Sequence, residues 1–245
     1  MHLDVDPVKF LSERRFTVLF SGGKDSLAAL LWICDNIPHR DWNVVYVEVT
    51  GNTHPACNEY VHKVISMLGL EERFVHAKRE DLDFFEGVKK WGIPLIGQMR
   101  WCLYQFKIKV WDKHSHLTQV TGIKRSDSNR RSKAHLIEYM RLGKSVVVNP
   151  ILTWKTGDVL DYIREHGIPI NPCYEMYRHS GNCMFCPYHS KRKIALTLQD
   201  PYWREKIIGA LRCVKAPRSE SMRRILRLWL KHDGQMPLTA FMQEK

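Results

Sequence analysis

The apolar positions of this 245-residue chain fall into two alternating kinds of run. Short runs rich in Val, Tyr and Phe come at Phe16–Phe20, Asn43–Val49, Arg73–His76, Leu117–Ile123 and Ser145–Val148. Their length and β-branched or aromatic content predict strands. Between and after them, apolar residues recur three and four apart over Leu27–Ile33, Tyr60–Leu68, Leu103–Trp111 and Asp158–His166, the last stopped by Gly167 and Pro169. That spacing predicts helices. Strands alternating with helices predict an α/β fold, a parallel sheet covered on both faces. Such sheets bind ligands beyond the carboxyl ends of their strands. Gly22, Gly51 and Gly122 each follow a predicted strand. After about Pro150 the alternation stops. The expected organisation is an α/β region over 1–150 and a helical, cysteine-bearing region over 151–245, packed as one unit.

Composition adds little to the fold and more to the partners. Hydrophobic residues make up 44% and charged residues 26%, an ordinary globular balance. No apolar run approaches the ~18 residues of a membrane helix. Met1–Phe10 carries Asp4 and Asp6 and has no apolar core, so no secretory signal is expected and the location expected is cytoplasmic. The net charge of +12 favours polyanionic partners. Between Pro187 and Lys231 twelve Lys/Arg face only Asp200, Glu205 and Glu220, interleaved with Tyr202, Trp203 and Trp229. This segment suits a phosphate-rich strand, or forms solvated helix faces.

The first candidate for chemistry is Ser21-Gly22-Gly23-Lys24-Asp25-Ser26, between a predicted strand and a predicted helix. Glycines let backbone N–H groups approach an anion, and the helix start adds partial positive charge. Ser21 and Ser26 can donate hydroxyl hydrogen bonds and Lys24 can neutralise a phosphate. This is not a Walker A loop, because Val18 stands where its first glycine belongs and Asp25 follows the lysine. A second loop, Thr50-Gly51-Asn52-Thr53, follows the next strand. A third, from Gly122 to Arg131, sets Lys124, Arg125, Arg130 and Arg131 among serines, a composition suited to phosphate or sulfate oxygens.

Over about Phe16–Trp203 these motifs resemble the PP-loop ATP pyrophosphatases, in the branch that contains the phosphoadenosine-phosphosulfate and adenosine-phosphosulfate reductases. Ser21, Gly22, Gly23, Asp25 and Ser26 match the family loop residue for residue. Thr50-Gly51-Asn52-Thr53 matches its second loop, with Val49 where an aspartate is usual. Gly122–Arg131 is similar to its G-x-R-R-x-E-S-x-x-R loop, and Pro150–Trp154 with Asp158 and Asn171-Pro172 is also similar. The resemblance implies an adenine-nucleotide α-hydrolase-like (Rossmann-like) sheet, with ATP split between its α and β phosphates. It implies ATP and Mg²⁺ at Ser21–Ser26, Thr50, Gly51 and Gly122, with Lys24, Asp25, Lys124, Arg125 and Arg131 in catalytic roles.

Seven cysteines in a chain with no expected export point to metal or redox chemistry. Arg100-Trp101-Cys102 followed by Lys107 resembles the R-W-C-C-x-x-x-K segment of the cluster-bearing reductases, with Leu103 in place of the second cysteine. Cys183-Met184-Phe185-Cys186-Pro187 supplies a C-x-x-C pair, and Cys173 lies ten residues earlier. Cys102, Cys173, Cys183 and Cys186 are therefore expected to hold a [4Fe–4S] cluster. Zinc on the same thiolates, a three-cysteine cluster without Cys173, and Cys102 as a buried core residue are the alternatives. Cys34 is expected in the core. Cys57 and Cys213 have no ligand partner at useful spacing, and His179 and His189 are candidate outer donors.

Reductases of this branch attack the sulfonucleotide with a cysteine near their C-terminus, and here no cysteine follows Cys213. A cluster without that nucleophile resembles instead the sulfur-inserting PP-loop enzymes that act on tRNA or DNA. The expected function is an AMP- and pyrophosphate-forming sulfurtransferase. Its expected partners are a nucleotide substrate, a nucleic acid acceptor, and a sulfur donor such as a cysteine desulfurase or sulfide. No membrane is expected as a partner, and a homodimer is the oligomer carried forward. Sulfonucleotide reduction and a non-catalytic nucleotide-binding regulator remain the rival readings.

Overall fold

The computed structural model describes residues 2–3, 5–39, 41–95, 100–140, 144–214 and 219–232. The chain begins with β1 (His2–Leu3), α1 (Pro7–Ser12), β2 (Phe16–Leu19), α2 (Lys24–Asn36), β3 (Trp42–Glu48), α3 (Pro55–Met67), β4 (Phe74–Lys78) and α4 (Phe84–Trp91). Next come α5 (Trp101–Leu103), a π-turn over Tyr104–Ile108 and α6 (Lys109–Trp111), which run on as one helix. β5 (Thr118–Val120), β6 (Ile137–Met140), β7 (Ser145–Val148) and α7 (Thr156–Glu165) complete the α/β part. The rest is helical: α8 (Cys173–Tyr177), α9 (Lys191–Gln199), α10 (Pro201–Arg212) and α11 (Glu220–Lys231).

The strands form one sheet in the order β1-β6-β7-β5-β2-β3-β4. The five strands from β7 to β4 are parallel, as the alternation of runs predicts. The other edge departs from that expectation: β6 pairs antiparallel with both β7 and β1. Neither has a run that sequence patterning can detect, since β1 has two residues and β6 four with a glutamate among them. The expected helix at Leu103–Trp111 is also interrupted. Lys109 N–H bonds Tyr104 O, five residues back, so the helix changes phase by one residue between Cys102 and Lys107.

The central strand β2 is covered on both faces, with Phe16 and Val18 on one and Thr17 and Leu19 on the other. Phe16 and Val18 are fully buried, as are Leu27, Ala28, Leu30, Leu31 and Ile33 of α2. A helix apolar around most of its circumference belongs inside. Each such leucine contributes about 1.5–3 kcal/mol through burial, and Leu30→Ala would cost about 2–5 kcal/mol through the cavity left behind. With five parallel strands, the carboxyl ends of β2, β3, β5 and β7 share one edge of the sheet. The three motif loops emerge there.

The C-terminal helices pack on that edge. Trp203, Ile207 and Leu211 of α10 and Ile225 and Trp229 of α11 are buried at helical spacing. This corrects the reading of Trp203 and Trp229 as part of a nucleic-acid surface. They face the core, and of the three named aromatics only Tyr202 is exposed. The spacing of these apolar residues carried the signal, beneath a polar majority that drew attention to the charge. Residues 215–218, within the basic segment, and the C-terminal stretch 233–245 lie outside the described residues. No described helix is long and apolar enough to cross a membrane.

Candidate functional site

The phosphate loop leaves β2 at Phe20, whose N–H bonds Val45 O at 3.1 Å. Gly22 takes φ +73°, the left-handed region that favours glycine, and a β-carbon there would sit 3.0 Å from Cys57 Sγ and from Val61. Gly23 has an ordinary extended backbone and caps α2. Ser26 Oγ closes the turn by accepting from Ser21 N–H at 3.1 Å and donating to Gly23 O at 2.9 Å. Two residues from far downstream finish the loop. Asn171 Nδ2 donates to Gly22 O and to Ser180 O, both at 2.9 Å. Tyr174 OH accepts from Lys24 N–H at 3.2 Å. Asn171 belongs to a segment similar to the family's and Tyr174 to no motif; only their proximity in space assigns both to this loop.

The charged residues expected to meet phosphate are largely engaged with one another. Lys24 Nζ lies 2.8 Å from Asp25 Oδ2. Lys124 is fully buried and pairs with Asp25 and, at 2.8 Å, with Asp127. Arg131 completes the chain with a 2.6 Å bond to Asp127. Burial works to raise the Asp127 carboxyl, but Lys124 and Arg131 outweigh it and hold it below the usual carboxylate range. Arg125, exposed, donates to Ala134 O at 3.1 Å. Lys124 therefore fixes the third loop against α2, and Gly122 permits the approach: a β-carbon there would sit 2.3 Å from Asp25 O. Asp25 and Asp127 both have cationic partners, so these two loops lack an uncommitted carboxylate for a protein-held Mg²⁺. That ion fits as a companion of a triphosphate.

The second loop serves the cysteines. Gly51 has φ +78° and its α-carbon abuts the Asp83 carboxylate, so it allows β3 and the start of α4 to meet. Thr50 bonds Arg79 O by its hydroxyl. Asn52 is fully buried. Its side chain donates to Phe185 O at 3.0 Å and accepts from Phe185 N–H at 2.8 Å, and its carbonyl accepts from Met184 N–H at 2.8 Å. Asn182 adds a second strap, donating to Val47 O at 3.2 Å. Thr53 Oγ1 bonds Asn182 O at 3.0 Å. Met184 and Phe185 are buried between the two cysteines, and Phe185 packs at a tilt against Trp229 with ring centroids 4.7 Å apart. The C-x-x-C turn is thereby pinned to the end of β3.

Lys107 joins the two cysteine segments. Its Nζ donates to Asn182 Oδ1 at 3.0 Å. Burial would lower its pKa, yet the thiols of Cys183, Cys186 and Cys102 raise it. Cys186 is pushed up to about 12 by burial and by Cys183 and Cys102; Cys102 is raised by burial and by Cys183. Cys102, Cys183 and Cys186 are all partly buried and form one electrostatic group. Cys173, expected as the fourth ligand, is not in it. Its thiol is fully buried against Gly181, and the thiol it feels is Cys57, which raises it with burial to about 12. The cause is local: Asn171 Oδ1 accepts from Cys173 N–H at 2.9 Å and turns the start of α8 toward the phosphate loop.

No three His, Cys, Asp or Glu among the described residues close on a point where a metal ion could sit, and this applies to zinc and to iron alike. Cys102, Cys183 and Cys186, interacting with one another and with Lys107, are the residues that would hold an iron–sulfur group in the alternative that leaves Cys173 out. Cys57 also gains partners that spacing did not reveal: Tyr46 OH at 3.6 Å and Asn171 Nδ2 at 3.7 Å. Cys34, expected in the core, is exposed. His189 N–H bonds Cys186 O at 3.1 Å, whereas His179 accepts from Gly181 N–H and contacts Thr197.

Comparison with known proteins fits this geometry. The crystal structure of a phosphoadenylyl-sulfate reductase from Candida auris, in complex with phosphate, superposes with a TM-score of 0.50 at 18% identity, over 70% of this chain and 85% of that one. An adenosine 5′-phosphosulfate reductase of Staphylococcus haemolyticus is 29% identical over 115 residues, 46% of this chain and 47% of that protein. The nin region protein ORF290 of Escherichia phage lambda is 26% identical over 214 residues, 75% of this chain and 69% of that protein. The matched stretch spans about half the length of the curated reductases. Residues 15–188 match the phosphoadenosine phosphosulfate reductase domain, and the chain belongs to that family.

Proposed function

We propose that the protein is an ATP-dependent sulfurtransferase, forming AMP and pyrophosphate, that adenylates an oxygen of a nucleic acid and replaces it with sulfur. The observation that carries this reading is the strapping of Cys102, Cys183 and Cys186, through Asn52, Asn182 and Lys107, to the same sheet edge as the phosphate loop. In the first step the acceptor oxygen attacks the α-phosphorus of ATP and the bond to the β-phosphate oxygen breaks. Charge develops on the departing pyrophosphate, where the amides of the Ser21–Gly23 turn and the start of α2 stabilise it. Lys24 joins them by exchanging Asp25 for a phosphate oxygen. Lys124 keeps the third loop seated while this happens. A sulfur nucleophile then attacks the activated carbon and AMP leaves. An iron–sulfur group bound by Cys102, Cys183 and Cys186 would supply sulfur held as sulfide.

The family match and the named reductases favour a second reading, reduction of a sulfonucleotide. That reaction needs a thiol that attacks sulfur and is then released by thiol–disulfide exchange. Cys213 caps α10 in a cavity of about 470 Å³ lined by Asp83, Phe85, Glu86, Lys89 and Lys206, with no residue of the phosphate loop. The two readings separate in one assay. The protein is given nucleic acid, ATP and a sulfide donor, or adenylyl sulfate and thioredoxin. Pyrophosphate release with thiolated nucleic acid is the expected result. Sulfite release that depends on Cys213, with no thiolated product, would overturn it.

A further inference from the structure

We infer that the rim of the cysteine group is a stacking platform for single-stranded nucleic acid, built on Tyr104 and Tyr188. The inference deepens the proposed function and rests on it for the use to which the strand is put. Tyr104 stands two residues after Cys102 and Tyr188 two after Cys186, and their side chains are exposed at 43% and 45%. Arg100 links them beside the cysteine segments: its guanidinium lies over Tyr188, and its carbonyl accepts from Tyr104 N–H at 3.3 Å.

Each ring carries a cation. The Arg100 guanidinium lies 5.2 Å from the centroid of Tyr188, and Lys109 Nζ lies 4.9 Å from that of Tyr104. Arg100 thereby bridges the Cys102 segment and the Cys186 segment. Neither Arg100–Trp111 nor Cys186–Gln199 contains an acidic residue, while together they hold Arg100, Lys107, Lys109, Lys191, Arg192 and Lys193. Aromatic faces with flanking cations suit unpaired bases and their phosphates. A duplex keeps its bases stacked within the helix and leaves such rings without a partner.

The test is fluorescence anisotropy on the full chain with labelled single-stranded DNA and RNA of about 15 nucleotides and the matching duplex. Single strands are expected to bind more tightly than duplex. Tyr104→Ala and Tyr188→Ala are each expected to weaken single-strand binding about 5- to 150-fold, with Tyr→Phe at both positions restoring it. Arg100→Gln is expected to flatten the salt dependence by about 0.7 per lost phosphate contact. Wild-type affinity in the double alanine variant, or equal binding of duplex and single strand, overturns the platform. So does polyglutamate binding of equal strength, which would assign the rim to an acidic polypeptide. If the tyrosine effects appear but nucleic acid is never thiolated, the platform stands and the sulfur-transfer reading falls. Thiolation with unchanged KM in the double variant gives the reverse.

Discussion

Asn52 holds Phe185 in both directions, donating to its carbonyl at 3.0 Å and accepting from its N–H at 2.8 Å across 133 residues of chain. The pairing mimics two strands exchanging hydrogen bonds, but a buried side chain replaces one strand. It is the main strap of the C-x-x-C turn. Asn52→Ala leaves a buried N–H and a buried C=O without partners, at about 1–3 kcal/mol each. The expected outcome is a loss of about 2–5 kcal/mol in denaturant unfolding, with faster alkylation of Cys183 and Cys186 in the native state. Unchanged alkylation rates would show that the turn is held by other contacts.

Lys124 is a fully buried cation between Asp25 and Asp127. Removing one partner of such a group costs more than the group itself contributes, because the remaining charges are stranded. Lys124→Met is expected to lower stability by about 3–5 kcal/mol and to abolish pyrophosphate release. Adding Asp127→Asn should recover part of the stability, since one stranded carboxylate is gone. A single variant within about 1 kcal/mol of wild type would contradict the central role given to this ion pair.

His179 is buried and pushed down to about 3, chiefly by burial and then by Lys193 and His54. The folded protein therefore keeps it neutral while the unfolded chain protonates near 6.5. The unfolded state binds the extra proton between those values, so stability falls as pH drops below about 6.5, with a slope of up to ~1.4 kcal/mol per pH unit from this group. His179→Gln keeps an acceptor for Gly181 N–H and removes the titration. Stability curves from pH 7 to pH 4 should be flatter for the variant, and parallel curves would exclude this histidine as the source.

The cysteines make a sharper distinction than any single assay of activity. Cys173 interacts with Cys57 and not directly with Cys102, Cys183 or Cys186. After anaerobic isolation, Cys173→Ser is expected to keep its iron and acid-labile sulfide, whereas Cys102→Ser, Cys183→Ser and Cys186→Ser lose them. Loss of iron in Cys173→Ser would restore the four-cysteine arrangement. Stoichiometric zinc in the wild type would replace the cluster altogether.

The phosphate loop and the parallel core were legible because both are local. A strand, two glycines and a helix start are adjacent in sequence, and buried strands show as continuous apolar runs. Lys124 looked like a free cation because lysine is rarely buried, and its partner Asp25 lies 99 residues earlier. Cys173 looked like a ligand because ten residues can loop back, but the direction of that loop depends on Asn171 and its contact with Gly22. Trp203 and Trp229 looked like surface because arginines and lysines surround them in sequence. Their helical spacing to Ile207 and Ile225 was the better guide. The antiparallel edge left no pattern of its own.

The hydrogen bond from Asn171 to Gly22 O spans 149 residues. Its consequence concerns the order of synthesis. As the chain leaves the ribosome, β2 and the turn after it emerge first, yet the residue that fixes the turn is made only 149 residues later. Asn52 is completed later in the chain, when Phe185 is made 133 residues after it. Nascent α/β segments can pair their strands in sequence, but the turn cannot take its finished shape until the helical part arrives. Ligand capture is thereby a late event in the life of the chain, and a nascent fragment ending at Pro150 has a sheet without a working mouth.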